Sequence, residues 1–135
     1  MIDNRSNKNR RGSERLDTTF TLTYQIEKPL SLRVQLGYSD DIDALMSNLS
    51  DSGMAIITKH NLPVGTQLYI KCNIIDLHLE GEERLSNLEI IGETLSNVAL
   101  SALSHKIGIR FIKISDADKA AISSFVKRNK LFPKA

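Results

Sequence analysis

The chain has 135 residues, of which 41% are hydrophobic and only 5% aromatic, and its formal net charge at pH 7 is +2. This length suits one compact domain with a mainly aliphatic core, and the low net charge argues against a general nucleic-acid coat. No apolar run is long enough for a transmembrane helix, and Met1 is followed by polar residues rather than a signal sequence, so we expect a cytoplasmic protein without membrane insertion.

The first 14 residues form a basic segment without hydrophobic periodicity. Residues 1–15 carry five arginine or lysine side chains against two carboxylates, a local balance of +3. Because such a segment has almost nothing to bury, we predict that residues 1–14 are a disordered arm in the free protein. Its positive charge suits a small anionic ligand.

From Leu16 onward the apolar residues alternate with a period of two. This pattern predicts a half-buried strand, which Pro29 interrupts because proline lacks a backbone N–H for the sheet. Leu32, Val34 and Leu36 continue the alternation, and we therefore predict a second strand segment after the proline.

The stretch Asn48-Leu49-Ser50-Asp51-Ser52-Gly53 places small polar side chains and a glycine between two apolar runs, 42–47 and 54–58. Such clusters mark chain reversals, so the two runs are predicted to form a hairpin or a sharply bent pair. Asn48 and Ser50 share one face of an extended chain, and Gly53 permits a close approach to the backbone. These residues fit either a turn that caps its own backbone or a polar ligand site.

Residues 59–65 are predicted to form a loop in which Leu62 and Val64 tuck under the edge of the sheet. The next strand is indicated by strict alternation, with one apolar face made of Leu68, Ile70, Cys72 and Ile74. A single cysteine cannot form an internal disulfide, and the three histidines are scattered, so we expect no metal site.

One loop and two further strand regions are predicted before residue 115. Residues 76–86 are interpreted as an acidic, solvated loop, while 88–93 and 97–103 form either one long bent strand or a strand plus a small insertion. The strand 106–112 is predicted to point Ile107, Ile109 and Phe111 inward and Arg110 outward. Within it, Gly108 indicates a bulge or a close neighbouring backbone.

A helix is predicted after Ser115, which has the character of an N-cap followed by acidic residues. The helix should extend to about Asn129, and its apolar stripe should pack against one end of the sheet: Ala121, Ile122, Phe125 and Val126. We therefore predict a six- or seven-stranded antiparallel β-barrel with a C-terminal helix over residues 15–130, followed by a tail, 131–135.

No nucleophile and base, metal cage or acid–base pair has a recognisable spacing, and the glycine-rich phosphate loops are absent, so a non-enzyme without catalytic residues is predicted. Two polar motifs follow one another along the chain. Arg11 and Arg15 form the pattern R-x-x-x-R, and Asn48, Ser50 and Gly53 form the later pattern N-x-S-x-x-G. Together they resemble the PilZ domain family of bacterial cyclic di-GMP receptors. The resemblance covers residues 10–127 and includes Ile107-Gly108-Ile109-Arg110-Phe111, which is similar to the family's late G-x-x-F strand.

The resemblance implies cyclic di-GMP as the ligand and no further cofactor. Guanidinium groups suit this ligand because they pair with phosphates and with the O6 and N7 acceptors of guanine. In the family, an arginine just before R-x-x-x-R favours two stacked ligands, and we therefore expect two per chain. The implied ligand-binding residues are Arg10, Arg11, Arg15, Asn48, Ser50 and Gly53, with Arg110 as an accessory contact.

Two other functions compete with this one. The barrel could act only as a protein-interaction adaptor whose arm docks on an acidic partner, although the intact motifs favour ligand binding. An RNA-binding barrel that uses the arm and Tyr69 is disfavoured by the small net charge and the few aromatic residues. The expected partner is an effector protein of motility, polysaccharide or chemotaxis machinery, with no role for DNA.

Overall fold

The structure is a computed structural model that describes residues 15–37, 41–77 and 83–131. The predicted arm, residues 1–14, lies outside the described residues, as do residues 132–135 of the predicted tail. Arg15 and Leu131, at the two boundaries, belong to the first strand and the last helix.

Six antiparallel strands form a closed barrel in the order β1-β2-β3-β6-β5-β4, with β4 pairing back onto β1. The predicted fold class is confirmed. The strands are β1 (Arg15–Lys28), β2 (Ile42–Ser50), β3 (Gly53–Thr58), β4 (Gln67–Leu77), β5 (Glu83–Ser101) and β6 (Ser104–Lys113).

Every strand contributes large buried side chains to one aliphatic core, as the period-two pattern predicts. The core also holds Tyr24, whose hydroxyl is satisfied by the Thr58 hydroxyl at 2.8 Å. Leu62 is buried as predicted, but Val64 is 64% exposed, so the expectation that both residues tuck under the barrel is wrong for Val64. In the turn that contains Val64, Gly65 takes a positive φ of 94° and is exposed.

The segment after Pro29 is a short helix, α1 (Leu30–Leu36), and the predicted strand there is wrong. Leu32 and Leu36 both pack on the core, whereas Val34 is 78% exposed. The two leucines are four residues apart, a spacing that fits one face of a helix as well as one face of a strand. Gly37 ends the helix at φ 75°, where its N–H bonds the carbonyl groups of Arg33 and Val34.

The C-terminal helix, α2 (Asp116–Leu131), begins as predicted, because the Ser115 hydroxyl accepts a hydrogen bond from the Asp118 N–H at 3.0 Å. Ile122, Phe125 and Val126 are buried against the barrel core. The Phe125 ring lies 5.7 Å from the Phe20 ring. The predicted apolar stripe is therefore core packing.

One continuous strand, β5, spans the region where two alternatives had remained open. Its 19 residues pair with both β4 and β6, so the long bent strand is the correct alternative. Its pairing with β6 shifts between Thr94 and Ser96, which leaves Leu95 as an extra residue. Because β4 reaches Leu77 and β5 begins at Glu83, the acidic loop is shorter than the predicted 76–86.

Cys72 provides a test of how well the core excludes water. Burial raises the pKa of its thiol from 9.0 to about 12, and the Asp118 carboxylate contributes in the same direction. At pH 8 the folded protein should contain about a thousandfold less thiolate than the unfolded chain, so a disulfide reagent should label Cys72 very slowly. Because the folded pKa is raised, this contribution to stability is complete below pH 9 and is lost as the pH rises toward 12.

Labelling kinetics with a chromogenic disulfide reagent check this expectation, and the same reaction in guanidinium chloride is the control. Equal rates in the folded and unfolded protein would show that Cys72 is accessible.

Candidate functional site

The two-residue turn between β2 and β3 is organised by the Ser50 hydroxyl. Its oxygen accepts the backbone N–H groups of Ser52 and Gly53, each at 3.2 Å, and its proton is directed at the Gly53 carbonyl, 3.3 Å away. Ser50 is also nearly buried. The self-capping turn, one of the two alternatives drawn from the sequence, is therefore present, and Ser50 fixes the shape of the segment that carries Gly53.

Gly53 is required by the barrel itself. A Cβ atom at this position would collide with the backbone carbonyl oxygen of Ile109 on β6, and that oxygen belongs to the strand pairing Gly53–Arg110. A side chain here would push β3 away from β6. The glycine of N-x-S-x-x-G thus has a structural role whether or not a ligand binds.

A row of short side chains crosses the outer face of four neighbouring strands. Asn48 on β2 pairs with Ala55 on β3, Ala55 pairs with Gly108 on β6, and Gly108 pairs with Ser96 on β5. Directly paired residues in an antiparallel sheet present their side chains on the same face. The row therefore forms a shallow floor bounded by longer side chains on both sides.

A groove of about 610 Å³ lies over this floor. Its volume falls within the range of sites that hold small molecules. Its polar lining comes mainly from the β2–β3 turn, Asn48, Ser50 and Ser52, and its opposite wall is apolar, formed by Leu95 and Val98 of β5. Lys106 and Arg110 of β6 supply the cations.

The two cations differ in their partners. Arg110 forms an ion pair with Glu93, which lies directly opposite it on β5, with Nη2 and Oε1 2.5 Å apart. Among the described residues, the other ion pair joins Lys71 to Asp41, and neither pair involves Lys106. Lys106 is therefore the groove's cation whose charge is not offset by a paired carboxylate in the part of the chain described.

The structure brings together four of the seven residues that the sequence nominated. Asn48, Ser50, Gly53 and Arg110 all line the groove. The backbone of Arg15 pairs with Ser50, so the second arginine of R-x-x-x-R begins β1 beside the N-x-S-x-x-G turn. Arg10 and Arg11 lie outside the described residues.

Sequence reasoning missed the far wall of the groove. Leu95 and Val98 are 53% and 56% exposed, and Lys106 is exposed as well. A signal for Lys106 was present, because it alternates with the inward residues of a correctly predicted strand and must point outward with Gly108 and Arg110. Nothing in the sequence indicated that Leu95 occupies a bulge.

The turn also touches the C-terminal helix. The Ser123 hydroxyl of α2 donates a hydrogen bond to the Asp51 carboxylate at 3.3 Å.

In the described residues no group of three or more histidine, cysteine or acidic side chains is arranged to hold a metal ion. No helix in the described part of the chain is long and apolar enough to span a membrane.

A family model for the PilZ domain matches residues 9–128. No curated protein matches the chain.

Among solved structures, the inhibitor of motility MotI/DgrA of Bacillus subtilis superposes with a TM-score of 0.67 at 18% identity, over 91% of this chain and 52% of that one. The chain thus spans about half of the length of the Bacillus protein. The PilZ domain of YcgR from Escherichia coli, solved with c-di-GMP, gives 0.57 at 14% identity, over 93% of this chain and 99% of that one. A tetrameric PilZ domain from Xanthomonas campestris gives 0.51 at 11% identity, over 98% and 97%. At these identities the likeness is one of fold.

Proposed function

Because this chain belongs to the PilZ domain family, whose members are typically cyclic di-GMP receptors and not enzymes, we propose that it is a cytoplasmic receptor for cyclic di-GMP. The ligand lies in the groove beside the β2–β3 turn. The proposed ligand-binding residues are Arg10, Arg11, Arg15, Asn48, Ser50 and Gly53, with Arg110 as an accessory contact.

The observation that carries this proposal is the pairing of Arg15 with Ser50. It joins two motifs that are more than 30 residues apart in the sequence at one end of one groove. Guanidinium groups from the arm supply planar donors for guanine O6 and N7 and charge for the phosphates. Asn48 offers both a donor and an acceptor on the groove's floor, and Ser50 supports it by holding the turn.

The number of such contacts sets the expected affinity. Each bidentate contact between arginine and guanine is worth about 1–3 kcal/mol, and three or four of them reach about 8 kcal/mol, near micromolar affinity. Ordering the arm opposes binding at about 1–2 kcal/mol per residue. A receptor with a micromolar affinity releases the second messenger again when its concentration falls, so the response is reversible.

Isothermal titration calorimetry with cyclic di-GMP tests the proposal, with GTP and cyclic di-AMP as specificity controls. We expect heat with cyclic di-GMP and a stoichiometry of two ligands per chain, falling to one in Arg10→Leu. The absence of heat with the wild-type protein would refute the receptor function. A stoichiometry of one that Arg10→Leu leaves unchanged would refute only the stacked pair.

Ligand binding is also proposed to order the arm against the barrel. The bonds after Arg10 and Arg11 should be cut rapidly by trypsin in the free protein and slowly with saturating cyclic di-GMP, because bound arginine side chains cannot enter the protease. Arg15 is less informative, since its backbone already pairs with Ser50.

Mass spectrometry of the early fragments measures these rates, and cleavage after Arg5 serves as the internal reference. Equal rates at Arg10 and Arg11 with and without ligand would contradict the switch.

The ordered arm, the ligand and outward residues such as Arg110 would form a composite surface for an effector protein of motility, polysaccharide or chemotaxis machinery. The alternative is an adaptor that binds its partner without nucleotide. A pull-down with and without cyclic di-GMP distinguishes the receptor from the adaptor. Only for the receptor should the amount of bound partner change when the ligand is added.

A further inference from the structure

The apolar wall of the groove is formed by an irregularity in β5. The shift in pairing between Thr94 and Ser96 leaves Leu95 as an extra residue, and bulges of this kind re-aim a side chain. Thr94 is buried, so Leu95, the next residue, lies on the outer face at the groove's edge, and the bulge keeps Ser96 on that same face beside it. A 53% exposed leucine there has no role in the core.

Lys106 is the cation on this side of the groove, and it lies two residues from Gly108 of the floor. Lys106, Gly108 and Arg110 alternate along β6 on its outer face, so two cations flank Gly108 and their Cα atoms are about 13 Å apart. Arg110 is bound to Glu93, whereas no described ion pair involves Lys106. Lys106 therefore retains three donors for a group that enters the groove.

The floor between these side chains is flat and closely packed. A Cβ atom added to Gly108 would lie 2.5 Å from the Ser96 hydroxyl oxygen, which means that these two residues leave no gap between β5 and β6. A flat polar floor with an apolar side chain beside it and a cation at its end matches the faces and the acceptor edge of a purine.

Resting on the proposed function, we propose that Leu95 and Lys106 form a second half of the ligand site that takes one guanine base of cyclic di-GMP. The Leu95 side chain packs on the face of the base. The Lys106 ammonium donates to its O6 and N7 acceptors, a pairing that lysine makes with guanine in other settings. These two residues lie outside both sequence motifs and add a specificity determinant on the opposite side of the groove.

Calorimetry on three variants and two matched controls tests this assignment. Lys106→Met keeps the stem and removes the charge, and it should weaken cyclic di-GMP binding about 5- to 150-fold, while Lys106→Arg should retain most of the affinity. Leu95→Ala should weaken binding about fivefold through lost apolar burial. The controls are Lys113→Met and Leu85→Ala, which change exposed residues of the same two strands outside the groove and should bind as the wild type does.

A second measurement locates the base directly. With methyl-labelled leucine, the complex should show nuclear Overhauser effects between the Leu95 methyl groups and the guanine H8 proton. If the wild type binds but Lys106→Met and Leu95→Ala match their controls, or if no such effect appears, this second half of the site is wrong while the receptor function stands. If the wild type shows no binding at all, the receptor function fails first.

Discussion

Replacing Arg15 by alanine is expected to abolish detectable binding of cyclic di-GMP, and Arg11→Ala should do the same. Each variant loses one charged, bidentate contact worth about 1–3 kcal/mol. The remaining contacts must still offset the cost of ordering the arm, about 1–2 kcal/mol per residue. Because the proposed net affinity is only about micromolar, a loss near 3 kcal/mol should raise the dissociation constant to about 150 µM, where calorimetry at ordinary protein concentrations detects little heat.

The matched control for both variants is Arg5→Ala, which removes the same charge from the arm but leaves R-x-x-x-R intact. It should bind nearly as well as the wild type. If Arg5→Ala weakened binding as strongly as Arg15→Ala, the arm would act through its net charge, and the assignment of individual arginines would be wrong.

The largest loss of stability is expected from Gly53→Ala. The added methyl group would collide with the Ile109 carbonyl oxygen, which is part of the backbone and cannot rotate away. Relief requires β3 and β6 to separate, so the loss should approach about 3 kcal/mol, the upper end for overpacking a closely fitted site. For a chain of this size, that loss corresponds to a fall in the melting temperature of about 10 °C.

Gly108→Ala is the informative control for this variant. Its nearest obstacle is the Ser96 hydroxyl, the end of a side chain that can rotate, so its melting temperature should change much less. Thermal denaturation followed by circular dichroism compares the two. Equal melting temperatures for Gly53→Ala and Gly108→Ala would show that the backbone contact at Gly53 is not the reason for the glycine.

The parts of the fold that the sequence predicted well have a single dominant pattern. The alternation from Leu68 to Ile74 fits only a strand with one buried face, and Ser115 followed by acidic residues fits only the start of a helix. The segment after Pro29 was misjudged because Leu32 and Leu36 satisfy both periods, and seven residues offer too little sequence to separate them. Gly37, directly after the last leucine, was the available signal for a helix end.

The site shows a similar division. Turn chemistry predicted the β2–β3 hairpin, and motif spacing nominated the residues that line one side of the groove. The opposite side depends on which strands become neighbours when the barrel closes, and on a shift of pairing at Leu95. Neither feature is encoded in a local pattern, since both arise from contacts between segments distant in the sequence.

The pairing of Arg15 with Ser50 anchors the arm at the edge of the groove, so the arm stays close to the site over which it is proposed to close. Arg11 is four residues from a fixed point on the groove's edge, and four residues span at most about 14 Å in any conformation. Its local concentration at the groove is therefore of the order of millimolar or higher, set by chain connectivity and independent of how much protein is present. In the proposed switch, closing of the arm over the ligand is a unimolecular step, so dilution of the receptor should not weaken it, whereas a cut after residue 14 would turn it into an encounter between two molecules.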